Sequence, residues 1–212
     1  MSNKQIVLLL FLICYTCGMS HYFIEDKNLQ DEERQLSFSI NGKEFFLFTN
    51  TGLFSKDKLD TGSRILLETV LTHQKQPNSL LDLGCGMGTL SVVLSSFWNC
   101  ACTAIDVNPR AVEYTKKNLG PINKQATVLC QDGIETGKFD CIVFNPPIRA
   151  GKKVIYSLLN QCKDHCSGNL WIVIRKNHGA QSLVNYLEEI GMEVQRVHRE
   201  KGYWILKAKR AS

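Results

Sequence analysis

The sequence predicts an α/β fold in which a mostly parallel sheet is covered by helices on both faces. Three observations predict it. From residue 79 onward, short apolar strand-like runs alternate with amphipathic helical runs. A glycine-rich segment stands where the first of these strands meets its helix. Acidic residues then follow the next two strands in turn, at Asp106 and Asp132.

The elements come in this order. Residues 35–49 read as a β-hairpin: Phe38 and Ile40 alternate with polar residues, Asn41-Gly42 signals the turn, and Phe46 and Phe48 resume the alternation. Residues 52–60 are a loop, and a helix starts near Asp60 or Thr61 and runs through Ile65, Leu66, Thr69 and Val70. The first core strand is 80–83, followed by a helix over 88–97 with Leu90, Val93, Leu94 and Phe97 on one side. A strand at 102–105 leads to a helix at 109–119, where Pro109 suits a first turn. Strands at 126–130 and 139–144, a helix at 151–162, a buried strand at 170–174 and a helix at 179–190 follow, the last stopped by Gly191. Strands at 193–197 and 203–206 close the chain, and their short connection requires an antiparallel strand. The sheet therefore has seven strands, apart from the hairpin.

At 212 residues, with 44% hydrophobic and 21% charged content, the chain has the size and composition of one soluble globular domain. The expected division is an apolar extension at 1–18, a hairpin-and-helix segment at 19–78 and a core at 79–212. A net charge of +5 fits a polyanionic partner without requiring one. The nine cysteines are an odd number in a chain too long to need staples, so they read as free thiols rather than a disulfide framework. The tightest Cys/His cluster, Cys162, His165 and Cys166, lacks a second cluster at zinc-finger spacing, and no metal site is expected. The apolar run at 6–13 resembles a short secretory signal and is too short for a usual membrane span; alternatively Met19 is the start. Unpaired thiols favour the cytoplasm, with no stable membrane partner.

The strongest local signal is Leu81-Asp82-Leu83-Gly84-Cys85-Gly86-Met87-Gly88. Glycines here let the backbone turn sharply and approach a ligand. The spacing G-x-G-x-G is one residue shorter than the dinucleotide pattern. A carboxylate at Asp82 is expected to face the ligand, which suits an ammonium and a sulfonium better than a pyrophosphate. Asp106, 24 residues after Asp82, ends the second strand and can accept both ribose hydroxyls. Asp132, after the third strand, is placed to bind an adenine amino group. With Gly84, Cys85, Gly86, Gly88, Val107 and Gly133 these acids make up the candidate cofactor site. Singly, each is equally well read as a turn or cap residue.

The fourth strand ends in Asn145-Pro146-Pro147-Ile148. Here the sequence resembles the class I methyltransferases that modify exocyclic amines, which carry Asn/Asp-Pro-Pro at this strand end. The resemblance implies a Rossmann-like fold and S-adenosyl-L-methionine as cofactor. Such an amine is a weak nucleophile, because its lone pair is delocalised into the ring. The Asn145 side-chain oxygen and the Pro146 carbonyl can each accept one of its N–H bonds, and the prolines stiffen the turn. Asn145, Pro146 and Pro147 are the catalytic candidates; Asn145 also borders the cofactor. Ile148 stands where many relatives have an aromatic residue, so Phe54 or Phe144 is a candidate aromatic wall.

The resemblance extends further. Gly52-Leu53-Phe54-Ser55, Leu59-Asp60-Thr61-Gly62-Ser63, the glycine loop, and Asn145-Pro146-Pro147-Ile148-Arg149-Ala150-Gly151-Lys152 occur in that order. Together they resemble the small-domain ribosomal RNA guanine-N2 methyltransferase family, across residues 19–210. Longer relatives carry a second, degenerate copy of the domain before it. The resemblance implies that Asn145 holds a guanine amine of small-subunit (16S) ribosomal RNA and that Gly62 lines the cofactor pocket. Ile148, Arg149, Lys152 and Phe54 become the substrate candidates, with ribosomal RNA or the small ribosomal subunit as partner. Arg175, Lys176, Lys207, Lys209 and Arg210 are weaker candidates for a basic surface. Methylation of protein glutamine or DNA adenine, or a silent cofactor-binding module, are the alternatives.

Overall fold

The computed structural model describes residues 33–50 and 58–211. The first described elements are a hairpin of β1 (Glu33–Ile40) and β2 (Lys43–Asn50). Its two-residue turn has positive φ at both Asn41 (48°) and Gly42 (77°), the twist that a tight hairpin prefers. A helix, α1 (Thr61–His73), follows, with the Asp60 carboxylate accepting from Ser63 N as its cap.

The core then alternates: β3 (Ser79–Leu83), α2 (Thr89–Phe97), β4 (Ala101–Asp106), α3 (Pro109–Leu119), β5 (Thr127–Cys130), β6 (Phe139–Phe144), α4 (Lys152–His165), β7 (Cys166–Arg175), α5 (Ala180–Glu189), β8 (Met192–Glu200) and β9 (Tyr203–Arg210). The seven core strands form one sheet in the order β5-β4-β3-β6-β7-β9-β8. Six of the seven strands run in one direction; β9 alone is reversed, antiparallel to both of its neighbours, as the short β8–β9 connection demands. The order reverses at β3, where open α/β sheets place their ligand crevice at the carboxyl ends of the strands. This is the class I methyltransferase fold.

Two apolar cores sandwich the sheet. One packs the hairpin, α1, α2 and α3 on one face, with Leu66, Leu94 and Trp171 among its fully buried members. The other packs α4 and α5 on the opposite face around Ile142, Phe144 and Leu159. Burying such side chains contributes about 2 kcal/mol each, which makes these faces the main source of stability.

Three details differ from the sequence reading. β7 begins at Cys166, four residues before its apolar run, because Gly168 packs directly on the Asp140 carbonyl and lets the polar stretch join the sheet. Phe97 is 39% exposed, beneath Lys43, while its neighbour Trp98 is buried instead. Phe144 is 0% exposed in the second core, so it cannot form an aromatic wall. Phe54 lies outside the described residues. Among the described residues no helix is long and apolar enough to cross a membrane.

Among the described residues no group of three His, Cys, Asp or Glu side chains is arranged to hold a metal ion. Cys162 and Cys166 are buried, and the His165 ring instead bonds the Gly137 carbonyl at 2.6 Å. Burial pushes both thiols above their usual range.

Candidate active site

The glycine loop joins β3 to α2 through three left-handed glycines at alternate positions. Gly84, Gly86 and Gly88 have φ of 70°, 56° and 84°, and nothing lies within 4 Å of a side chain built on Gly84 or Gly86. Those positions combine a conformation that favours glycine with open space for a ligand. The loop is anchored from below: Gly84 N and Cys85 N both donate to the Ile105 carbonyl, and Thr115 Oγ1 donates to Gly86 O at 2.8 Å. Asn118 ties it to the hairpin, donating to Met87 O and Phe48 O and accepting from Phe48 N. Nothing in the local sequence of Asn118 announces this link, which spans 70 residues.

Asp106 stands at the end of β4, partly buried. Its two oxygens accept from Gly86 N at 2.8 Å and Asn108 N at 2.9 Å, which leaves further lone pairs for the two hydroxyls of a ribose. Burial raises its carboxyl above the usual range. Beside it Val107 is 37% exposed, an apolar face at a strand end. Asp132 is exposed, and Gly133 next to it is buried with its carbonyl accepting from Gln131. Gly133 has φ of 88°, a conformation that favours glycine whatever the space around it.

Asp82 is placed differently from the expectation that it fronts a ligand. It is 0% exposed beneath the loop, its Oδ2 accepting from both Ser91 N and Ser91 Oγ. Its Oδ1 is buried with no hydrogen-bond partner among the described residues. Burial pushes the carboxyl up to about 6.

Asn145 follows β6 directly, beside β3 in the sheet. Its Nδ2 donates to Ser63 Oγ at 3.0 Å and to Asp60 Oδ2 at 3.4 Å. A carboxylate only accepts, so Asp60 dictates which way the amide points. No described residue donates to Asn145 Oδ1, which is therefore the acceptor presented outward. Pro146 is buried and Pro147 exposed; the Pro147 carbonyl is taken by Ala150 N at 2.8 Å, while no described backbone donor takes that of Pro146. A 3-10 turn at Ile148–Ala150 then leads to α4. Ile148 is half-buried against the second core, and Arg149 and Lys152 are exposed.

Gly62 sits in the first turn of α1, where an added side chain would lie 2.9 Å from Tyr203 Cε1 and 3.1 Å from Asp60 Oδ2. Tyr203 is thus the aromatic ring beside the Asp60–Asn145 pair, with the Arg175 guanidinium 4.8 Å from its centroid. Asp60 and Ser63 stand in the family-like run around Gly62, but their contact with Asn145, and the place of Tyr203 against Gly62, escape sequence reasoning because these groups meet across the fold. A Gly→Ala change in a helix ordinarily adds about 1 kcal/mol. Here Gly62→Ala is expected to give no such gain in Tm and to lower methyl transfer roughly tenfold or more, by displacing Tyr203 and Asp60. A raised Tm with an intact rate would contradict that reading of the contact.

A sequence profile of the methyltransferase small domain matches residues 44–207. The chain belongs to that family. Its relatives include YbxB of Bacillus subtilis, a protein of uncharacterised function, 36% identical over 90% of this chain and 98% of that one. The ribosomal RNA small subunit methyltransferase C of Haemophilus influenzae is 32% identical over 74% of this chain and 50% of its own length. The Thermus thermophilus 16S rRNA N2 G1207 methyltransferase, in a complex with AdoMet and guanosine, superposes with a TM-score of 0.74 at 24% identity, covering 86% of this chain and 52% of that one. The chain spans about half the length of these two RNA methyltransferases.

The family is one of S-adenosyl-L-methionine-dependent methyltransferases, and the residues here fit that cofactor. The open face over Gly84 and Gly86 admits a ligand backbone, Asp106 keeps acceptor capacity for a ribose, and the unpartnered Asp82 Oδ1 favours a cation nearby.

Proposed function

We propose that this protein transfers a methyl group from S-adenosyl-L-methionine to the exocyclic N2 of a guanine in small-subunit ribosomal RNA, in the cytoplasm. The observation that carries the reading is the Asn145 amide, its nitrogen held by Asp60 and Ser63 and its oxygen left without a described donor, at the strand end next to the one that carries the glycine loop. The kinship with ribosomal RNA small subunit methyltransferases supports the choice of acceptor.

When bound, the cofactor supplies an electrophilic methyl carbon on a positively charged sulfur, which departs as a neutral thioether. The protein's task is alignment. Asn145 Oδ1 accepts one N–H of the guanine amino group and the Pro146 carbonyl accepts the other. These two bonds fix the nitrogen and aim its lone pair at the groove. After transfer the nitrogen sheds a proton to solvent, since neither oxygen is basic enough to keep it. Gly84, Gly86, Asp106, Val107, Asp132 and Gly133 bind the cofactor, and Asp82 lies beneath it. Ile148 packs against the base; Arg149 and Lys152 lie where flanking phosphates pass.

The test is transfer of labelled methyl from the cofactor to unmodified small-subunit ribosomal RNA, ribosomal protein and DNA, with the product nucleosides mapped by mass. The expected product is N2-methylguanine in RNA, with Asn145→Ala lowering turnover about a hundredfold or more at unchanged cofactor affinity. Label confined to protein or DNA would overturn the proposal.

A further inference from the structure

β6 and β7 are parallel neighbours, with Phe144 level with Ile172. β6 stops there and turns into Asn145-Pro146-Pro147, but β7 continues through Val173, Ile174 and Arg175. β9 pairs with it the whole way, matching Arg175 to Tyr203. At about 3.3 Å per residue, this two-stranded wall rises roughly 10 Å past the level of Phe144. Its rim therefore stands beyond the level at which β6 gives way to the acceptor turn.

That rim is basic. Arg175, Lys176, Asn177, Lys201 and Gly202 line a groove of about 550 Å³. The Lys176 amide donates to the Gly202 carbonyl at 2.8 Å, which joins the two sides of the groove. Arg175 and Lys176 are exposed and make no ion pair with a carboxylate among the described residues; Lys201 pairs with its neighbour Glu200 at 3.0 Å. The Arg175 guanidinium stands over the Tyr203 ring, 4.8 Å from its centroid, a contact that restricts its motion and leaves N–H groups for an anion. Tyr203 in turn abuts Gly62, next to Asp60 and Asn145. Arg175 thus links the groove it lines to the ring beside the acceptor turn.

Resting on the RNA reading above, we propose that this groove is the track for the sugar–phosphate backbone of single-stranded RNA beside the base held at Asn145. A flipped nucleotide must carry its flanking phosphates over the rim of the pocket. Here the rim offers a planar guanidinium, two ammonium groups and a partly exposed aromatic ring, the combination that follows single strands without reading their sequence.

The test compares two triple variants of equal charge change. One replaces Arg175, Lys176 and Lys201 with Gln. The other replaces Lys75, Lys124 and Lys163, which lie before the starts of β3, β5 and β7 at the opposite edge of the sheet. Binding of unmodified small-subunit ribosomal RNA and of a short single-stranded RNA from it is measured across a salt series, beside cofactor binding and steady-state methyl transfer. The groove variant is expected to lose about tenfold or more in RNA affinity, with its salt slope shallower by about two, and to raise KM for RNA with cofactor affinity unchanged. The opposite-edge variant should stay within about threefold of the parent. Equal losses in the two variants, or none in the groove variant, would overturn the track while leaving RNA as the acceptor. A parent protein that neither binds nor methylates RNA, and labels ribosomal protein instead, would overturn the RNA reading itself.

Discussion

Asn145→Asp is expected to leave about 1% or less of the methyl-transfer activity at pH 8, and Asp60→Asn is expected to restore at least tenfold of it. The substitution keeps an acceptor oxygen and nearly the same shape, so shape alone predicts a mild effect. The neighbour makes the difference. Asp60 Oδ2 stands 3.4 Å from Asn145 Nδ2, and Asn145→Asp replaces that donor with a second carboxylate oxygen. Two unit charges about 4 Å apart repel by about 4 kcal/mol near a protein surface, so the pair either shares a proton or moves apart. Shared, the proton occupies an oxygen meant for the substrate; apart, the acceptor is misplaced.

In the doubly changed protein, the residue-60 amide donates to the new carboxylate and the acceptor returns. Asp60→Asn alone should cost little, because one amide oxygen can still accept from both Ser63 N and Asn145 Nδ2. A double-mutant cycle from turnover numbers, with cofactor affinity measured in parallel, reads the coupling directly. Additive effects would reduce Asp60 to a helix cap.

The limits of the sequence show at this same pair. Every core strand and helix was legible from apolar periodicity and the turn residues, because each lies on a sheet face whose pattern is local. The glycine loop, Asp106 and the Asn-Pro-Pro corner were legible too, since each occupies a strand end in the chain order the fold imposes. What escaped is set by approach in space. Asp60 reads as an N-cap, which it is, and its second role needs a partner 85 residues away. Tyr203 opens a strand and gives no sign that it packs on Gly62. Phe144 looked available as a wall only because a strand end can face either way; its side chain faces the second core. Asp82 was recognised from its spacing, but only the packing around it reveals that it is closed in.

That enclosure makes Asp82→Asn the sharpest test of what the fold gives up for its ligand. Burial raises the carboxyl from 3.8 to about 6. The sign follows: between those values the folded state holds a proton that the unfolded chain has released, so stability falls as pH rises through that window. At pH 8 the ionised group costs the ligand-free protein about 3 kcal/mol. Its Oδ1 has no described partner to offset that cost. Asn keeps an oxygen for Ser91 N and Ser91 Oγ and removes the charge, exchanging one unpaired buried atom for another. Asp82→Asn is therefore expected to raise stability by about 1–3 kcal/mol at pH 8, with the gain gone by pH 4, as denaturant titrations at both pH values would read. Affinity for S-adenosyl-L-methionine should move the other way, falling about tenfold or more, because a buried negative charge beneath the loop favours a ligand carrying an ammonium and a sulfonium. Calorimetric titration of both proteins would check it. A variant that gains stability yet binds the cofactor as tightly as before would mean that Ser91, and not the ligand, is the reason for an acid at this position.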